Sequence, residues 1–120
     1  LEINAGNNSQ YVGHAILMVY YNTDQERKYQ KTFDVSESKY NTFSHGYVEF
    51  GIDSINTARK MFVYIVDSDG QENQIGRESV STKDYTYMFD KSDIKSGENS
   101  VVISSDGESV FRVTSLEVTL

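Results

Sequence analysis

Two histidines, no cysteine, and 18 acidic residues against 11 basic ones leave carboxylates as almost the whole supply of acid, base or metal chemistry in this chain of 120 residues. His14 and His45 stand apart with no His-Glu-x-x-His pattern. Without cysteine a zinc site would have to be completed by scattered carboxylates. Gly-x-Ser-x-Gly is absent, so no serine is marked as a nucleophile, and there is no glycine-rich phosphate loop. Glycoside hydrolysis needs two carboxyl groups facing each other at about 5 to 10 Å. Glu49 and Asp53, with Asp67 and Asp69 at the following turn, are the pairs the spacing offers, and a chain this acidic produces such pairs by chance. The expectation is a protein that is not an enzyme.

Two kinds of binding chemistry remain. Calcium takes many oxygen ligands from flexible backbone. Asp67-Ser-Asp69-Gly-Gln-Glu72 has an acidic rhythm, echoed at Asp106 and Glu108, but lacks the third acidic position and closing glutamate of an EF-hand loop. Asp67 and Asp69 are therefore the metal candidates, for a structural calcium, and no other cofactor is expected. A saccharide asks for an aromatic face against its C–H surface, ringed by side chains that hydrogen-bond hydroxyls. Lys39-Tyr-Asn-Thr-Phe-Ser-His-Gly-Tyr47 is the best local match, with Tyr40, Asn41, Phe43 and His45 as ligand-binding candidates on a loop. Asn22, Asp24 and Arg27 form a second candidate patch at the neighbouring hairpin.

The elements that must position these residues are strands. Helical periodicity is hard to find, whereas alternation and short apolar runs recur between turn signals. His14 to Tyr21 is almost continuously apolar, as expected of a strand covered on both faces, and it pairs as a hairpin with Arg27 to Val35, where Lys31 interrupts the inward set Tyr29, Phe33 and Val35. Val48, Phe50 and Ile52 share a face. Residues 61–66, Met-Phe-Val-Tyr-Ile-Val, are apolar at every position and predict a central strand, because an edge so apolar would invite aggregation. Ser-Asp-Gly at 68–70 and again at 105–107 reads as a hairpin turn. Tyr85, Tyr87 and Phe89 alternate as core. Phe111 and Val113 fall out of phase with Leu116, Val118 and Leu120, which predicts a bulge or a change of sheet near Thr114 and Ser115. In Phe89-Asp-Lys-Ser-Asp-Ile-Lys-Ser-Gly97, Phe89 and Ile94 bury while Asp90 and Asp93 accept hydrogen bonds from nearby amides. The whole predicts an all-β chain of about eight or nine strands, an antiparallel sandwich or jelly roll.

Four segments carry a resemblance. Tyr29-Gln-Lys-Thr-Phe-Asp-Val-Ser-Glu-Ser38, Tyr47-Val-Glu-Phe-Gly-Ile-Asp53, Met61 to Val66, and Tyr87-Met-Phe-Asp-Lys-Ser-Asp-Ile-Lys-Ser-Gly-Glu-Asn-Ser-Val-Val-Ile103 are similar, in order and spacing, to strands of the sugar-binding jelly-roll domain of β-galactosidases and β-glucuronidases. The last resembles that domain's crossing ending in Gly-Glu-Asn. Where the family has a tight asparagine-glycine turn, this chain has the longer Asp67 to Gly76. The resemblance implies a galactose-binding-like jelly roll, a fold shared by many carbohydrate-binding modules.

A formal charge of −7 repels phosphate backbones and anionic membrane surfaces at long range, so nucleic acid is not an expected partner. No apolar run approaches the roughly 18 residues of a membrane span, and the first residues lack the pattern of a signal peptide, so no membrane insertion is expected. The chain reads as one module, residues 1–120, cut from a larger protein. The expected function is non-catalytic carbohydrate binding within an extracellular or cell-surface multidomain protein. Its expected partners are a glycan or polysaccharide and the parent's other domains, and the module itself is expected to be a monomer. The alternative is a structural or adhesive sandwich that spaces or contacts other proteins.

Overall fold

The structure is a computed structural model that describes residues 16–21, 27–56, 60–105 and 110–120, without the side chains of Tyr21 and Ser54. Among these residues are eight strands: β1 (Ile16–Tyr21), β2 (Lys28–Val35), β3 (His45–Asn56), β4 (Lys60–Val66), β5 (Glu72–Ser79), β6 (Asp84–Asp90), β7 (Gly97–Ser105) and β8 (Val110–Thr119). One short helix, α1 (Glu37–Thr42), and a single 3-10 turn at Lys91–Asp93 complete the described elements. The strands form two four-stranded sheets, ordered β1-β8-β3-β6 and β2-β7-β4-β5.

Each strand of the first half pairs antiparallel with its mirror in the second: β1 with β8, β2 with β7, β3 with β6, β4 with β5. β3 with β8 and β4 with β7 then close the roll. A long antiparallel ribbon folded back at the β4–β5 turn and rolled into two layers is a jelly roll, as the strand pattern and the resemblance led us to expect.

Alternation fills the space between the sheets. Met61, Val63 and Ile65 of β4, Val101 and Ile103 of β7, Val48, Phe50 and Ile52 of β3, and Phe111, Val113, Leu116, Val118 and Leu120 of β8 are all buried in one core. The phase change in β8 is a bulge. Gly51 sits opposite Ser115 and Ile52 opposite Val113, which leaves Thr114 without its own partner and turns both halves of β8 inward. Tyr29 is buried and spans the layers: its hydroxyl donates to the Phe111 carbonyl at 2.6 Å and accepts from the Val113 amide at 3.3 Å, so the polar tip of a core tyrosine is satisfied by the facing sheet. Lys31, the interruption in β2, lies 4.0 Å over the Tyr20 ring, a cation–π contact at the border of the core.

The crossing from β6 to β7 also follows its sequence. Phe89 and Ile94 are buried. Asp90 accepts from the Ser92 amide at 2.9 Å, and Asp93 accepts from the Asp90 amide at 3.0 Å, a reciprocal cap on the 3-10 turn. Gly97 then turns with φ +103°, a region that favours glycine.

Four expectations need correction. β1 and β2 do not form a hairpin: they lie in different sheets, and residues 22–26 fall outside the described residues. β1 is an edge strand, not one covered on both faces, and Ile16 and Val19 are 50% and 44% exposed. β7 and β8 likewise lie in opposite sheets, so they do not pair in the hairpin expected around 105–107; residues 106–109 fall outside the described residues. Finally, the supposed loop from Ser36 contains α1. Ser36 caps it, its hydroxyl accepting from the Lys39 amide at 3.1 Å, the role that short hydroxyl side chains favour at helix starts.

Candidate functional site

A sandwich of two layers has no third layer to cover its outer faces. A strand that is apolar at every position must therefore present half its side chains to solvent. β4 is such a strand: Met61, Val63 and Ile65 enter the core, while Phe62, Tyr64 and Val66 stand half-buried on the outer face of the second sheet.

Strand register arranges that face as three rows across β2, β7, β4 and β5. Lys28, Ser104, Phe62 and Arg77 make the first; Gln30, Val102, Tyr64 and Gln74 the second; Thr32, Ser100, Val66 and Glu72 the third. A bulge at Ile75, between the partners of Val63 and Tyr64, keeps both Gln74 and Arg77 on the outer face although they are three residues apart. A groove of about 350 Å³ runs over this grid, lined by Lys28, Gln30, Tyr64, Val66, Glu72, Val102 and Ser104.

The chemistry of the grid is unspent. Among the described tyrosine side chains, Tyr20, Tyr29, Tyr40, Tyr47, Tyr85 and Tyr87 each engage another ring or a lysine. Tyr64 has no such partner, and its hydroxyl makes no hydrogen bond within the described residues. The side chains of Lys28, Gln30, Gln74, Glu72 and Ser104 are equally without a hydrogen bond or ion pair there. An aromatic face on a central strand, edged by amides, a hydroxyl, an ammonium and a carboxylate, can stack against an apolar ring surface and hydrogen-bond its substituents.

The residues singled out in the sequence lie elsewhere. Tyr40 and Asn41 are on α1 at one end of the sandwich. Tyr40 is half-buried, its ring 6.1 Å from Phe43, and Lys91 Nζ lies 5.1 Å over it while donating to the Asn41 carbonyl at 3.3 Å. Phe43 was expected on a loop surface; it is 3% exposed and packs on Phe89, so its ring serves the core. His45 opens β3, with Nδ1 3.1 Å from Ser44 Oγ and its ring edge-on to Tyr47 at 5.5 Å. Tyr40, Phe43 and His45 thus gather at one end, where their rings are largely used by protein neighbours. Arg27 precedes β2, its carbonyl accepting from the Ser105 amide at 3.2 Å. Asn22 and Asp24 lie outside the described residues.

Asp67 is buried in the β4–β5 turn, where Oδ1 accepts from the amides of Asp69 and Gln71 at 2.9 and 3.0 Å. Asp69 points to solvent, 3.9 Å from Lys95 Nζ. The acidic rhythm here is that of a turn satisfying its own backbone. No group of three or more potential metal ligands occurs among the described residues.

The first sheet carries a second groove of about 340 Å³, lined by Val19, Glu49, Asp84, Thr86, Ser115 and Glu117 among others. Glu49 and Glu117 face each other across β3 and β8, and beyond them Arg112 holds Asp53 through two hydrogen bonds of 2.6 and 2.7 Å. The Arg112 hydrogen bond keeps the Asp53 carboxyl below its ordinary pKa. The carboxylates dominate this face; of the described rings near it, Phe50 and Tyr85 are buried in the core and Tyr47 is engaged edge-on by His45. Sequence reading missed the groove on the second sheet, although its signal was present. Six consecutive apolar residues cannot all be core in a two-layer fold.

No family model matches the chain, and no curated protein matches it. Among solved structures it is similar to one described as "CBM4 structure and function", with 11% identity and a TM-score of 0.48 over 95% of this chain and 78% of that one. The two-layer β-sandwich rests on the pairing of its own strands, antiparallel throughout both sheets. No described helix is long and apolar enough to cross a membrane.

Proposed function

We propose that the chain is a carbohydrate-binding module that holds its saccharide on the outer face of the second sheet. The observation that carries this reading is Tyr64: a tyrosine on a central strand, with an unengaged ring and hydroxyl, in the middle row of a groove flanked by Gln30 and Gln74. Its binding would be reversible, with the ring stacking on a pyranose and the neighbouring amides taking hydroxyls. In the wider proposal the module is galactose-binding-like, as the order of its resembling segments suggests, and serves a secreted or surface multidomain protein as a monomer.

The test is a saccharide array followed by calorimetric titration of wild type and Tyr64→Ala. We expect a saccharide to bind without being cleaved and Tyr64→Ala to weaken it about tenfold, the effect of losing roughly 1.4 kcal/mol at an aromatic contact. Failure of every saccharide to bind would leave the chain the structural or adhesive role.

A further inference from the structure

We propose that the saccharide taken by this groove is a predominantly neutral chain bearing an isolated uronate, whose carboxylate lies on the row of Lys28, Ser104, Phe62 and Arg77. The inference rests on the reading of the second sheet as a saccharide face and adds the ligand's charge. Charge on that face is graded by row. The first row has a cation at each end, the second has only neutral side chains, and the third ends in Glu72. The cations stand on opposite edge strands, three strand spacings or about 14 Å apart at the backbone. Lys28 lines the groove; Arg77 lies outside its lining, in the same row, with its guanidinium carbon 5.6 Å from the Phe62 ring centre. Neither has an ion-pair partner among the described residues.

A guanidinium laid on an aromatic face keeps its outer N–H groups free for a carboxylate, a geometry that suits a planar two-oxygen anion. Ser104, between Lys28 and Phe62, adds a hydroxyl. An anion is therefore favoured in this row and disfavoured two rows away beside Glu72. A densely charged polymer meets two further objections. Asp34 and Glu98 face each other beyond the third row, and the chain as a whole carries −7, so repulsion grows with each additional negative charge. One carboxylate at one end of an otherwise neutral segment matches the gradient.

The experiment uses the full chain and matched oligosaccharide pairs on xylan, glucan, mannan and galactan backbones. Each pair is a glucuronate-bearing oligosaccharide and the same molecule with its carboxyl reduced to the primary alcohol. Polygalacturonate serves as the dense polyanion. On at least one backbone the uronate member should bind about tenfold more tightly than its reduced twin, as loss of one charge-assisted contact would give. The difference should shrink with added salt and disappear in both Lys28→Gln and Arg77→Gln. An unchanged circular dichroism spectrum and urea midpoint would show that these variants are folded. Tyr64→Ala should weaken both members alike. Equal affinity within every pair would overturn the uronate assignment and leave the saccharide reading standing, and so would a preference for polygalacturonate. Absence of binding to any member would overturn both.

Discussion

Tyr64 and Tyr87 show how one side chain type is assigned opposite tasks by its neighbours. Tyr87 points inward from β6, its ring stacked with Tyr85 at 6.3 Å and lying against Gly76 of the other sheet, and its hydroxyl donates to Glu78. Burial, then the hydrogen bond to Glu78 and the charge of that carboxylate, push the phenol well above its ordinary pKa. A group that holds its proton more tightly folded than unfolded contributes stability that is intact below the unfolded pKa of about 10 and falls as pH rises beyond it. We therefore expect wild type to lose more stability than Tyr87→Phe between about pH 8 and about pH 10.5, read as the shift of the urea midpoint. Equal losses would show that the fold does not resist this ionisation. The opposite sign holds at Asp53, whose pKa is lowered chiefly by the hydrogen bond from Arg112. Arg112→Met should move the Asp53 titration back up towards the ordinary carboxylate range, which carboxyl NMR would detect.

At the scale of elements, β5 and β6 meet across the sandwich edge through Gly76. A Cβ there would run into the Tyr87 ring, so Gly76→Ala should destabilise the fold by about 1 to 3 kcal/mol, as overpacking does. An unchanged urea midpoint would mean that the ring moves aside freely. The bulge in β8 was legible because its two inward sets, Phe111 and Val113 against Leu116, Val118 and Leu120, are out of step in the sequence itself. α1 was not: six residues of Glu-Ser-Lys-Tyr-Asn-Thr bury no side chain fully, so no apolar period marks them, and only the cap at Ser36 betrays the helix. The partners of β1 and β2 were misread for a related reason. A short polar segment between two strands looks the same whether it turns within one sheet or crosses between two.

For the whole molecule, inward alternation sufficed to give two antiparallel layers, but where recognition sits depends on what the second layer leaves uncovered. Loop aromatics such as Tyr40 and Phe43 drew attention because loops lie outside, yet here they close the end of the core. Phe62 and Tyr64 were read only as part of a central strand, with no side of it marked as outward. The same global view bears on calcium at the β4–β5 turn: with Asp67 Oδ1 committed to the amides of Asp69 and Gln71, the stability lost on Asp67→Ala should be the same with chelator as with added calcium. Asp67→Ala should lower stability by about 1 to 2 kcal/mol in either condition, the loss of a buried turn acceptor. A chelator-dependent loss would contradict this. The most direct test of where the molecule meets its ligand is an amide chemical-shift titration with a saccharide found to bind. The shifts are expected to concentrate on Lys28 to Thr32, Phe62 to Val66, Glu72 to Arg77 and Ser100 to Ser104. Shifts gathered instead on α1 and His45, or on the acidic groove of the first sheet, would contradict the account.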